Sequence, residues 1–261
     1  MATDMTPNVT SIVSEPKTLA DEYRPSVDHL VTEDDTPVDN IFSEKQQRLL
    51  TEPLYTSWQS NVPFIALANV GLFHSIRQPP YVPDMLLSLN AEAPKDLFPK
   101  SNRSYFVWEY GKPPDVVVEI VSNREGNEDT EKVIGYARIG IPYYAIYDPE
   151  LWLRAEPLRF YELRGGHYEL RAGSSYVMKE IGLGLALWNG VFEGHDNEWL
   201  RWTDVEGNPI STGAERSEKE RYRADSEKLR ADSERLRADS ERLRADKLAE
   251  QLKQMGISPE V

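Results

Sequence analysis

Apolar and polar positions divide the chain into three stretches of different texture. From residue 1 to about 40 the chain is polar and acidic, rich in Thr, Ser, Asp and Pro. Such a stretch buries too little apolar surface to offset its ordering entropy, so a loose acidic arm is expected there. From about 41 to 212 lies the globular part, which holds all the tryptophans: Trp58, Trp108, Trp152, Trp188, Trp199 and Trp202. In its first segment Leu49, Leu50 and Leu54 share a face at helical spacing. This predicts a helix over Ser43–Trp58 with Ser43 as cap, ending or bending near Glu52 because of Pro53.

Strand patterns follow at Phe64–Val70, Gly71–Ile76 and Met85–Leu89. The β-branched run Val116-Val117-Val118-Glu119-Ile120-Val121 predicts a strand buried on both faces, in the middle of a sheet. A helix over Glu128–Ile139, stopped by Gly140 and Pro142, leads to a strand at Tyr143–Tyr147 that ends at Asp148-Pro149. Strand, helix and strand with short links predict a right-handed crossover between neighbouring parallel strands. Arg159–Leu163 and His167–Arg171 read as a hairpin through Arg164-Gly165-Gly166. Leu183–Trp188 and Glu198–Thr203 are expected to close the sheet. The class is α/β.

Residues 213–256 follow a different rule. Arg223-Ala-Asp-Ser-Glu-Lys-Leu229 recurs at 230–236 and 237–243, a period of seven that places Tyr222, Leu229, Leu236 and Leu243 at one heptad position. With that position called d, the a positions are Ser226, Ser233 and Ser240. A long solvated helix is predicted. One strong apolar residue per heptad makes a thin seam, which leaves a coiled-coil dimer and a single-helix spacer both open.

Charge and composition narrow the function classes. The 261 residues carry 44 acids and 30 bases, a net of −14, divided as −8 over residues 1–44, −6 over 45–214 and zero over 215–261. No segment is basic, which counts against tight non-specific nucleic-acid binding through Lys and Arg, while leaving a local basic groove or a bridging divalent cation. The sequence contains no cysteine, which excludes disulfides, a thiol nucleophile and thiolate metal sites, and fits a reducing compartment. No apolar run approaches the roughly 20 residues of a membrane span, and residues 1–16 show no signal-peptide pattern, so a cytoplasmic protein without membrane association is expected. His29, His74, His167 and His195 lack metal-ligand spacing, and no phosphate-binding glycine loop or nucleophile elbow is present.

The chemistry-bearing candidates are acids set in apolar strands. Glu119 interrupts the most apolar segment, where an ionised carboxylate is costly unless paired or metal-bound. Asp115, four residues earlier, faces the same side but about 13 Å away by strand rise. Asp84 opens the strand at Met85–Leu89, where a turn role is the alternative. Lys132 lies on the following helix, within reach of the carboxylates if that helix packs back on the sheet. Two carboxylates and a lysine converging on one point suit Mg²⁺-assisted phosphodiester hydrolysis.

Several segments together carry a resemblance. They are Pro83-Asp84, Pro114-Asp115 through Glu119 to Ser122, Lys132 with Tyr136, Gly140-Ile141-Pro142-Tyr143-Tyr144, and Tyr147-Asp148-Pro149-Glu150. Gly182-Leu183-Gly184-Leu185, Trp199-Leu200-Arg201-Trp202, Gly207-Asn208 and the charged heptads extend it over about residues 35–255. The chain resembles the restriction endonuclease-like domain family abundant in cyanobacteria, within the PD-(D/E)xK nuclease superfamily. The resemblance implies a mixed sheet core with flanking helices and cleavage of DNA with Mg²⁺ or Mn²⁺. It assigns Asp84 and Glu119 as catalytic metal ligands, Asp115 as a third ligand or a structural residue, and Lys132 as the lysine. Val121 stands two residues after Glu119, where the superfamily pattern has lysine, so Lys132 on the next helix is the candidate. The readings left open are an active DNA endonuclease, a phosphodiesterase acting on RNA or nucleotides, and an inactive nuclease-fold scaffold. A homodimer or other helix-mediated association would run through the C-terminal helix. The expected organisation is an arm over 1–40, a nuclease-like domain over 41–212, a heptad helix over 213–256 and a tail over 257–261.

Overall fold

The computed structural model describes Ser26 and residues 40–122, 127–171 and 173–256, so the expected tail and all of the expected arm but Ser26 and Asn40 lie outside the described residues. The first helix, α1, spans Ile41–Thr56. Asn40 caps it by accepting the Ser43 N–H at 3.0 Å, and Ser43, the expected cap, is instead buried inside the first turn. The helix also continues past Glu52. Pro53 falls in its last turn, where only one backbone donor is lost, and its neighbours Leu50 and Leu54 are fully buried.

The strands are β1 (Phe64–Ala68), β2 (Leu72–Phe73), β3 (Met85–Leu89), β4 (Tyr105–Phe106) and β5 (Val116–Ile120). A short helix, α2 (Val107–Tyr110), lies between β4 and β5, and α3 (Glu131–Ile139) leads into β6 (Tyr143–Tyr147). The remaining strands are β7 (Leu158–Arg164), β8 (His167–Arg171), β9 (Ser175–Met178), β10 (Leu183–Phe192) and β11 (His195–Thr203), before the last helix, α4 (Gly213–Gln254).

Six strands form a mixed sheet in the order β1-β3-β5-β6-β7-β8, with β5 and β6 parallel at its centre and every other pair antiparallel. All residues of β5 and β6 are buried, which explains their continuous apolar character. α3 connects them and ends at Gly140, whose φ of +88° suits a residue without a Cβ. The β7–β8 hairpin turns through Gly165 and Gly166, both at positive φ, as a two-residue turn that follows strand twist requires.

β10 and β11 do not close this sheet. They form a long hairpin, which joins β9 in a separate three-stranded antiparallel sheet. The reason is visible in the packing: Leu183, Leu185, Leu200 and Trp202 cover one face of the large sheet, against Val116, Val118 and Ala145, together with Leu50 and Leu54 of α1. Their apolar sides serve a second layer instead of extending the first.

The opposite face takes alternate residues of the same strands. Leu86, Val117, Tyr144 and Ile146 pack there against Tyr136 of α3 and Ile141. Glu119 has the parity of Val117, and Asp84 that of Leu86, so both point toward α3. The β3–β5 register pairs Met85 with Val118 and Leu86 with Val117, and one further step brings Asp84 beside Glu119.

Candidate active site

Asp84 sits just before β3 and is nearly buried. Its carboxylate accepts the Ile120 N–H of β5 at 2.7 Å and the Gln47 side-chain amide of α1 at 2.7 Å. Two different elements thus orient it. Asp84 sits in the bend that opens β3, and its contacts also tie the sheet to α1.

Glu119 is 2% exposed. Its Oε1 accepts the Tyr136 hydroxyl at 2.5 Å, and its Oε2 meets Lys132 Nζ at 3.0 Å. Lys132 and Tyr136 are four apart, so one helical face of α3 presents both to the carboxylate. Lys132 Nζ lies 3.5 Å from Glu128 Oε1, and the other Glu128 oxygen is buried without a hydrogen-bond partner. The Lys132 side chain is 24% exposed, so the cluster reaches solvent past its ammonium.

The electrostatics follow from burial and pairing. Burial pushes the Glu119 carboxyl above the usual range, against the opposing pull of Lys132 and the Tyr136 hydroxyl. Burial acts on Lys132 in the opposite sense, but the charges of Glu119 and Glu128 outweigh it and hold the ammonium up. Tyr136 is pushed well above its ordinary value by burial first and by Glu119 second, so it remains a donor.

Asp84, Glu119 and Lys132 are therefore brought together at one end of β5. Asp115 is not. It precedes the other end of the same strand, where its Oδ2 accepts the Leu89 N–H at 2.7 Å and pairs with Lys112. Of the two roles expected for Asp115, third ligand or structural residue, its placement favours the structural one: four residues of extended strand separate it from Glu119. Among the described residues no group of three or more His, Asp or Glu is placed to hold a metal ion. The donor set that remains, two hard carboxylates with one orphaned carboxylate oxygen nearby, is of the kind that suits a hard divalent cation.

Three residues of the cluster escaped the sequence-based site. Tyr136 lies one helical step of four after Lys132 on α3, and Glu128 lies four before it in the turn that leads into the helix, a spacing that would have flagged them. Gln47 falls on the apolar stripe of α1, three before Leu50 and seven before Leu54, where a polar residue needs a buried partner.

Residues 34–185 match the model of the Uma2 family, described as "Putative restriction endonuclease". The match covers more than half of the sequence. The chain belongs to the Uma2 family. The matched span contains the whole polar cluster of Gln47, Asp84, Glu119, Glu128, Lys132 and Tyr136, and it ends inside β10, so β11 and α4 lie beyond it. The family description suggests a nuclease fold, and the mixed sheet with flanking helices is the core expected of it. No curated protein matches the sequence. Among the described residues no helix is long and apolar enough to cross a membrane.

Proposed function

We propose that this Uma2 chain is a Mg²⁺- or Mn²⁺-dependent endonuclease that hydrolyses phosphodiester bonds in DNA. The observation that carries the proposal is convergence: Asp84 before β3, Glu119 on β5 and Lys132 on α3 meet at one end of the central strand, ion-paired and oriented from outside. Asp84 and Glu119 are the residues that would hold the cation. A bound Mg²⁺ or Mn²⁺ supplies Lewis acidity, which activates water and neutralises charge on the scissile phosphate.

The chain's own groups have distinct duties in this reading. Gln47 and the Ile120 amide fix the direction of Asp84. Tyr136 fixes Glu119 by donating to Oε1, leaving Oε2 toward Lys132. The Lys132 ammonium, partly exposed, stabilises the anion that develops at phosphorus or orients the attacking water. The divalent cation also answers the charge problem of an acidic chain acting on a polyanion. The absence of cysteine suits the reducing cytoplasm, where such an enzyme would meet DNA.

The test is cleavage of supercoiled and single-stranded DNA by the full chain with Mg²⁺ or Mn²⁺, beside Glu119→Ala and a chelator control. The expected result is metal-dependent cutting that the variant and the chelator both abolish. Cutting of RNA but not DNA would move the substrate to the phosphodiesterase reading. No cutting in either metal, or equal cutting by the variant, would leave Glu119 as a buried structural acid in a nuclease-fold scaffold.

A further inference from the structure

α4 is 42 residues long, about 63 Å at 1.5 Å per residue, and no residue of it is buried. Among the described residues, its hydrogen bonds and ion pairs to the body lie at its root. Thr212 caps it in a capping box with Glu215, Arg201 of β11 holds Glu215 through two hydrogen bonds of 2.9 and 2.7 Å, and Glu52 of α1 accepts the Gly213 N–H at 2.9 Å. Beyond the root, Tyr222, Leu229, Leu236 and Leu243 stand 80%, 70%, 71% and 59% exposed in a row along one face.

The repeat itself decides how that row can be covered. With the leucines at d, position a is Ser; with the leucines at a, position d would be Asp232 and Asp239, which a seam excludes. The first phase puts Asp225, Asp232 and Asp239 at g and Arg230, Arg237 and Arg244 at e. In a parallel, in-register pair, g of one helix meets e of the next heptad on the other. Every such contact would then be aspartate against arginine: Asp225 with Arg230 of the second copy, and likewise Asp232 with Arg237 and Asp239 with Arg244. In an antiparallel pair g meets g and e meets e, so aspartates would face aspartates and arginines arginines.

We infer that α4 docks on α4 of a second copy of this chain as a parallel, in-register coiled coil, with Tyr222, Leu229, Leu236 and Leu243 as its seam and the Asp–Arg pairs fixing its direction. The small Ser226, Ser233 and Ser240 at a let the helices approach. Ser233 and Ser240 satisfy their hydroxyls on the Arg230 and Arg237 carbonyls at 2.9 and 2.8 Å, so they bring no unpaired group into the seam. Because both roots then lie at the same end, the two bodies are held as neighbours. On the nuclease reading, this sets two sites to act on one duplex.

The test uses the full chain and does not read activity. Sedimentation or light scattering is expected to give twice the 29.9 kDa chain mass, and Leu229→Ser, Leu236→Ser and Leu243→Ser together are expected to give the monomer. Those leucines are exposed, so the body's fold is not at stake. Because the sequence has no cysteine, Ser226→Cys and Ser240→Cys single variants report direction cleanly. Each is expected to form a disulfide with its own kind, and a mixture of the two is expected to form no 226–240 cross-link. Asp225→Arg, Asp232→Arg and Asp239→Arg together are expected to dissociate the dimer, and mixing with an Arg230→Asp, Arg237→Asp, Arg244→Asp chain to restore a heterodimer. A monomeric wild type, a dimer that survives the triple serine variant, or a 226–240 disulfide would each overturn the inference.

Discussion

Both ends of β5 carry an acid with a lysine partner, yet the two do different work. At its start, Asp115 and Lys112 close on one residue: Asp115 accepts the Leu89 N–H, Lys112 donates to the Leu89 carbonyl at 2.9 Å, and the two side chains pair with each other. This is a latch on the last residue of β3, and its side chains are 21% and 30% exposed. At the other end, Glu119 is all but sealed, its partner Lys132 comes from a different element, and Asp84 stands alongside, held by α1 and the β5 backbone. The first pair satisfies backbone groups. The second concentrates carboxylates that satisfy no backbone group of a neighbouring ladder except through Asp84. The difference teaches that two acids of the same parity on one strand can serve different neighbours, and that the register of the adjacent strand decides which groups each one meets.

The sharpest way to break this comparison is to neutralise each acid in turn. Glu119→Gln is expected to lower the proposed metal-dependent cleavage on the order of 10²-fold or more, and to remove the rise in melting temperature expected of the wild type in Mn²⁺. Asp115→Asn is expected to keep both the rate and the metal-induced rise, with a loss in stability of about 1 kcal/mol from the weakened latch. Equal loss of the metal-induced rise in both variants would erase the distinction between the two ends.

A smaller effect tests how Glu119 is held. Tyr136→Phe keeps the ring, which packs against Tyr81 and Tyr144 at 4.9 and 5.0 Å, and removes only the hydroxyl on Oε1. Leaving a buried acceptor short of its partner is expected to cost about 1–3 kcal/mol in urea unfolding. Unchanged stability would mean that Lys132 alone satisfies Glu119. The same variant is expected to reduce cleavage less than Glu119→Gln does, since the carboxylate itself remains.

Much of this arrangement was legible in the sequence, for identifiable reasons. The bounds of β3 and β6 follow from apolar runs cut by polar or proline residues, and the central place of β5 from a β-branched run that only two-sided burial explains. Glu119 announced itself as an acid within that run, and Lys132 as the lysine of the crossover helix. Asp115 was harder to place: strand rise alone sets it about 13 Å from Glu119, but its hold on Leu89 comes from the long-range β3–β5 pairing, which no local pattern encodes. The second sheet was illegible for a related reason. A strand's alternation says that one side is apolar, not which layer that side will cover, and β10 and β11 pair with each other before they meet the large sheet. Gln47 depended on a contact 37 residues away in sequence that no local pattern encodes.

The comparison extends, with the smallest expected effect, to the root of α4. Glu215, like Glu119, is a glutamate paired with a cation, but the balance of forces reverses. Burial raises its carboxyl, as at Glu119, yet the two Arg201 hydrogen bonds and the Thr212 amide outweigh that push and hold it below the ordinary value of 4.5. Exposure sets the difference: Glu215 is 41% exposed where Glu119 is 2%, so burial, still the largest single push on Glu215, is outweighed by the summed pull of Arg201 and Thr212. A depressed folded value means that the unfolded chain takes up the proton first. The contribution of Glu215 is therefore fully present above about pH 4.5 and is lost as pH falls through its folded value. The difference in unfolding free energy between wild type and Glu215→Gln, followed from pH 6 downward, is expected to be small and constant near neutrality and to vanish in acid. Other carboxylates titrate in the same range but cancel in the difference. A difference that persists undiminished in acid would show that Gln fails for geometric reasons, and that charge is not what roots α4 on the body.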